Sequence, residues 1–142
     1  MNRGIPAIAA VIVRGDQIGT LRRGAQRSFR PGRLDAFIGG EIQSQESPLQ
    51  ALNRELGEKI HFASLSTTDM GDVRIPTHTG SLLRRVFRLA VPEGTEPEFT
   101  EPLPNHKFEG FEWHTVGELH KLEQQGELLS DSWLILDKAG LK

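Results

Sequence analysis

Four carboxylates, Glu41, Glu46, Glu55 and Glu58, lie within the stretch GGEIQSQESPLQALNRELGEKIHF, residues 39–62. Glutamate oxygens gathered near one point suit a hard divalent cation such as Mg²⁺, which takes several oxygen ligands. Glu55 and Glu58 are three apart, so on a helix they share one patch. A backbone carbonyl of Gly39 or Gly40 could extend the set, and Glu41 follows directly. A plainer reading stands beside this one. Glu55 and Lys59 are spaced i,i+4 in the favourable order, a surface pair contributing about 0.2–0.5 kcal/mol. Taken alone, the segment is a solvated charged helix face.

The element that must carry these residues is well marked. Ser47 is an N-cap, Pro48 stands at N1, and Gln50 completes a capping box. Leu49, Leu52, Leu56 and Ile60 recur at spacings of three and four, which predicts one apolar stripe on a helix from about Pro48 to Ile60. At roughly 100° per residue, Glu55 and Glu58 fall on the face away from that stripe. Gly57 inside the helix costs about 1 kcal/mol relative to alanine.

Around this helix the chain alternates strands and helices. Ile5–Val13 is rich in alanine, valine and isoleucine and reads as a buried strand. Arg14-Gly15-Asp16 is a turn signal, Gln17–Arg22 a returning strand, Ser28–Arg33 a loop around Pro31-Gly32, and Leu34–Ile38 a short strand entering the double glycine. Leu65–Ile75 and Leu82–Val91 read as strands with a turn near Thr79-Gly80, followed by a proline-rich loop over 91–104. Phe108–Thr115 is a further strand. Thr115 and Glu118 form a second capping box opening a helix that stops at Gly126, and Ser132–Lys138 is a last short helix ended by Gly140. This order predicts an α/β or α+β sandwich, with helices on both faces of a mixed β-sheet.

The chain has 142 residues, 37% of them hydrophobic, which suits one domain over residues 1–142 and leaves no apolar run of bilayer length. The basic, then apolar N-terminus has a short apolar part with no clear small-residue cleavage site, and it reads as the first core strand rather than a signal peptide. Cytoplasmic localisation is the default expectation. There are no cysteines, which excludes disulfides, thiolate metal sites and cysteine nucleophiles. The net charge of −2 carries no nucleic-acid signature. Residues 17–34 nonetheless hold five arginines and no acid. Most of them read as a solvated loop, but one or two, with Arg23, Arg27 and Arg33 as candidates, could meet a phosphorylated ligand.

Gly40, then five residues to Glu46, then seven to Arg54-Glu55-Leu56 with Glu58 in register, resembles the Nudix box of the Nudix hydrolases. The box reads glycine, five residues, glutamate, seven residues, then Arg-Glu-aliphatic-x-Glu-Glu-x-Gly-aliphatic. The arginine-rich approach and the late strand Glu109-Gly110-Phe111-Glu112-Trp113 look similar to the family as well. The resemblance implies a Nudix-like α/β/α sandwich that cleaves a phosphoanhydride of a nucleoside diphosphate derivative by metal-assisted water attack. Carried over residue by residue, Glu55 and Glu58 would ligate Mg²⁺ or Mn²⁺, with a carbonyl from Gly39 or Gly40. Glu46 and Arg54 would form an orienting pair that supports those ligands. The general base would be a box glutamate or Glu109. The implied partner is a nucleotide-like phosphorylated small molecule, with no nucleic-acid polymer and no membrane, and Nudix domains often form homodimers.

Three positions depart from the pattern. Ile38 replaces a frequent proline. His61 replaces the glycine that ends the helix, and histidine tolerates a left-handed conformation better than most residues. Lys59 stands where the second glutamate of the Glu-Glu pair belongs, exchanging an anionic oxygen ligand for a positive charge. Three outcomes are open for it. Lys59 turns onto Glu55 and leaves a site completed by Glu109, Glu112 or Glu41. It contacts substrate phosphate as a point charge. Or the domain binds a nucleotide-like ligand and cleaves nothing. His78, His106, His114 and His120 show no ligand spacing and read as surface or structural residues, with His106 a minor acid–base candidate. Phe29, Phe37, Phe87, Phe111 and Trp113 read mainly as core, with one of them free to stack a nucleobase.

Overall fold

The computed structural model describes residues 2–3, 6–24, 32–78, 80–105, 107–128 and 132–141. The alanine- and valine-rich segment forms β2 (Ala7–Arg14), following a two-residue strand β1 (Asn2–Arg3). Alternate side chains of β2 enter two separate cores, because successive residues of a strand point to opposite faces. Ala9, Val11 and Val13 pack on one side and Ile8, Ala10 and Ile12 on the other. All six are essentially inaccessible, which explains why this strand reads as continuously apolar rather than alternating.

β3 (Gln17–Arg23) returns antiparallel to β2 through the Gly15 turn, where φ is +60°. β4 (Leu34–Asp35) pairs with β3, and β5 (Ile38–Glu41) pairs with the first half of β2. One edge of β2 is thus divided between β5 at Ala7–Ala10 and β3 at Ile12–Arg14. The opposite edge takes β8 (Gly80–Ala90) in parallel, and β8 forms a long hairpin with β7 (Ser66–Thr77). β10 (Phe108–Thr115) lies antiparallel to β3. The sheet is therefore mixed and has eight strands, with β6 (Ile60–His61) and β9 (Glu98–Phe99) forming a separate two-stranded pair.

The helices lie on both faces. α1 (Pro48–Lys59) contributes Ala51 and Leu52 to the core of Ile8, Ala10 and Ile12. α2 (Val116–Gln124) and α3 (Ser132–Lys138) supply Leu119, Ile135 and Leu136 to the core of Ala9, Val11 and Val13. Both capping boxes form: Ser47 with Gln50 and Thr115 with Glu118 satisfy first-turn N–H groups reciprocally. The α/β/α layering expected from the sequence is the observed one.

Two local expectations are corrected. Leu49, assigned to the apolar stripe, is 51% exposed, and the buried face of α1 is Ala51, Leu52 and Glu55. The helix is rotated because Glu55, not Leu49, packs against the sheet. The helix also ends one residue early. Ile60 is an extended C-cap (φ −152°, ψ 138°) leading straight into β6, so His61 occupies strand backbone rather than a left-handed turn.

Leu52 is fully buried between α1 and β2. Leu52→Ala is expected to destabilise the fold by about 2–5 kcal/mol, read as a lower urea midpoint with an unchanged slope.

Candidate active site

The site is built where β5 meets α1. β5 carries Gly39 and Gly40 beside Ala9 and Ile8 of β2, and α1 lies across it. The carboxylate of Glu55 rests directly on Gly40. A β-carbon at position 40 would overlap Glu55 Cγ, Cδ and Oε1, so only glycine leaves room. Glu55 is 6% exposed, and a charge so buried must be compensated. Oε1 accepts from Arg54 Nη1 at 2.9 Å, and Oε2 meets Lys59 Nζ at 2.8 Å.

Arg54 is the hub on one side. Its Nε donates to Glu46 Oε2 at 2.9 Å and its Nη2 to Glu46 Oε1 at 3.1 Å, a two-pronged pair. Nη2 also donates to the Glu41 carbonyl at 2.7 Å. Glu46 accepts in turn from the Gln43 backbone N–H at 2.9 Å. Arg54 thereby fastens the loop between β5 and α1 to the helix. The guanidinium holds Glu46 below the ordinary carboxylate range, helped by that backbone N–H, and Glu46 raises Arg54 further.

Lys59 is the hub on the other side. Its Nζ donates to the Gly39 carbonyl at 2.8 Å while facing Glu55. The ammonium therefore bridges β5 and α1. Glu58 points elsewhere: its side chain is 57% exposed and stands 3.7 Å from Arg54 Nη1.

Above Glu58 and Lys59 opens a cleft of about 160 Å³. Leu21, Ile60, Phe99 and Phe108 give it apolar walls, and Glu58, Lys59, Glu101, Asn105 and Lys107 give it polar ones. Phe99 is held by a tilted contact with Phe111 (5.8 Å between centroids), which meets Trp113 edge-on at 5.0 Å. Arg14 lies 4.0 Å over the Trp113 ring, and Glu96 binds both Arg14 and the indole N–H. Phe99, Asn105, Lys107 and Phe108 were not singled out in the sequence. Asn105 and Lys107 lie in an irregular segment without periodicity, while Phe99 belongs to the two-residue strand β9 and Phe108 opens β10, where nothing in the pattern distinguishes a cleft wall from core.

The remaining candidates lie outside this cleft's lining. Glu109 is the exposed extra residue of a bulge in β10, between Phe108 opposite Arg23 and Gly110 opposite Arg22. Glu112 bonds Arg22 at 2.9 Å and His114 at 2.7 Å. Burial pushes Glu112 up, but those two partners outweigh it and leave the carboxyl below its usual range. Arg23 pairs with Asp35 at 2.8 Å, each side chain 11% exposed, and Arg33 lies against Gly126. Arg27, His106 and Phe29 lie outside the described residues.

The donor set does not fit a resident Mg²⁺ or Mn²⁺ at Glu55. Both of its oxygens and the Gly39 carbonyl already accept from Arg54 and Lys59. Among the described residues, no three His, Asp or Glu side chains are grouped to hold a metal ion.

The fold has counterparts. The NUDIX domain family model matches residues 4–134, and the chain belongs to that family. An uncharacterised Nudix hydrolase of Yersinia pestis is 36% identical over 66 residues, which cover 44% of this chain and 36% of that protein. The match thus spans little more than a third of that relative's length. Among solved structures, the DR0079 protein of Deinococcus radiodurans superposes with a TM-score of 0.74 at 25% identity, covering 92% of this chain and 80% of its own. The NUDIX domain of Shewanella oneidensis NrtR, solved with ADP ribose, superposes at 0.71 with 14% identity, covering 99% and 88%. No helix among the described residues is long and apolar enough to cross a membrane.

Gly40→Ala is expected to push Glu55 off the sheet and to cost roughly 1–3 kcal/mol of stability, the usual range for overpacking, seen in chemical denaturation. Glu46 and Glu112 have folded-state values below their unfolded ones. The stability they contribute is present at neutral pH and is lost as pH falls through the depressed values. Melting temperature should stay level down to about pH 5 and drop below about pH 4. Glu46→Gln should make that drop shallower.

Proposed function

We propose that this chain is a Nudix-type hydrolase that binds a nucleotide-like small molecule in the cleft over Glu58 and Lys59 and cleaves its phosphoanhydride. The observation that supports this most is the pairing of opposite chemistries in one cavity. An ammonium and an exposed carboxylate stand beside aromatic and aliphatic walls. Phosphates suit the lysine end, and a base or ribose suits Phe99 and Phe108.

In this reading Glu58 is the proton acceptor. It is the box glutamate whose carboxylate stays accessible, so it can take the proton of a water attacking phosphorus. Glu55 holds Lys59 in place, and Lys59 and Lys107 offset charge on the phosphate oxygens. Glu46 and Arg54 keep the loop and helix in register. Mg²⁺ or Mn²⁺, which the family resemblance implies, would supply the same neutralisation, but the Glu55–Gly39 position is taken by Lys59. A second reading, a ligand-binding domain without turnover, is favoured by that same contact.

The test is a panel of nucleoside diphosphate compounds, ADP-ribose and nucleotide sugars among them, assayed with and without divalent ions. Turnover of at least one, reduced about 10²-fold or more by Glu58→Gln, is the expected result. Binding without turnover of any compound would replace the hydrolase with the binding domain.

A further inference from the structure

We propose that the Lys59 ammonium is the resident cation of this site: it takes the position between Gly39 and Glu55 that would otherwise require a metal ion, and offers its free N–H to an anionic phosphate in the cleft. The proposal rests on the phosphorylated-ligand reading for its second half only.

The first half follows from charge and geometry. Glu55 is buried on Gly40 and cannot keep its charge without a cation. Arg54 covers one oxygen, and the second oxygen faces the Gly39 carbonyl across a gap that Lys59 Nζ closes at 2.8 Å to each. A carboxylate oxygen and a backbone carbonyl converging on one point form a cation's coordination corner. The glutamate that the box pattern places at 59 would bring a second carboxylate beside Glu55 to this corner. Lysine instead changes the local charge by two units, the charge of one divalent ion, and delivers its cation covalently from the helix. The i,i+4 spacing gives the stem the reach, and the side chain is 21% exposed.

The second half follows from donor counting. An ammonium carries three N–H groups and no acceptor. Two are spent on Glu55 and Gly39. Lys59 also lines the cleft, together with Lys107, so its third N–H is available to a ligand oxygen there.

Three measurements on the full chain test this, none depending on turnover. Manganese titration followed by electron paramagnetic resonance, without nucleotide, should show no stoichiometric site in the native protein, and Lys59→Glu should create one at least tenfold tighter. Thermal melts of the native protein should be the same in EDTA and in millimolar Mg²⁺, whereas Lys59→Glu should melt lower in EDTA and recover with Mg²⁺. ADP should bind the native protein equally well in EDTA, and Lys59→Met should weaken it about tenfold. Glu55→Gln/Lys59→Met keeps the fold testable should the single variants unfold: it removes both charges and should melt above Lys59→Met. The proposal is overturned if the native protein binds one Mn²⁺ that Glu55→Gln abolishes, or if EDTA eliminates ADP binding. Loss of the hydrolase reading leaves these readouts intact, so the two failures are distinguishable.

Discussion

A buried carboxylate lying on a glycine organises the end of this molecule that holds the candidate site. Glu55 sits where α1 crosses β5, nearly sealed from solvent, with a cation on each oxygen. Removing one partner of such a group leaves an uncompensated charge in a medium that solvates it poorly. The surrounding geometry meets that constraint. Gly40 yields the space, Arg54 reaches from the preceding helical position, and Lys59 reaches from one turn later while anchoring to Gly39. Loop, strand and helix are thus joined through one side chain. The helix rotation that leaves Leu49 in solvent follows from it.

The fold supplies the rigid backing. β2 is paired from Ala7 to Val13 with β8 on one edge and shared by β5 and β3 on the other, so the Gly39-Gly40 strand is hydrogen-bonded to a deeply buried segment of the chain. Besides Leu21 of β3, cleft residues come from three sources around this base: the end of α1, the β9 segment, and the turn entering β10. The first is rigid helix. β9 is held by the aromatic row Phe99–Phe111–Trp113, which Arg14 and Glu96 close off at its far end. The turn entering β10 is held by Asn105, whose side chain donates to the Glu101 carbonyl and accepts from the Lys107 and Phe108 N–H groups. Both walls carry charge, Glu58 and Lys59 on the helix side and Glu101 and Lys107 on the irregular side, and Phe99 and Phe108 add apolar surface.

How much of this is legible in the sequence depends on the range of the interaction. Capping boxes are local, and Ser47–Gln50 and Thr115–Glu118 place both helix starts correctly. The apolar run of β2 and the double glycine are equally direct. The rotation of α1 is not, because hydrophobic periodicity assigns every carboxylate to solvent. Burial of Glu55 depends on a missing β-carbon fifteen residues earlier in the chain. Arg23 reads as a candidate contact for a phosphorylated ligand until Asp35 appears beside it on the paired strand. Phe99 and Lys107 carry no pattern at all, since a loop's shape is set by what it touches.

On the proposed reading, Lys59 keeps a framework while giving it a different cation. A metal ion is exchangeable, carries two charges and imposes its own coordination geometry. An ammonium tethered to the helix carries one charge, donates hydrogen bonds along fixed directions, and is present from the moment the helix forms. Lys59 ties Glu55 to the Gly39 carbonyl and satisfies the buried carboxylate from within the chain. Under the proposal, a ligand in the cleft would meet an N–H donor beside the exposed carboxylate of Glu58. Arg54 links the two sides: it fastens the loop through Glu46 and the Glu41 carbonyl while also donating to Glu55 and standing 3.7 Å from Glu58. The loop-fastening cation and the cleft-lining cation therefore meet at Glu55, one on each of its oxygens.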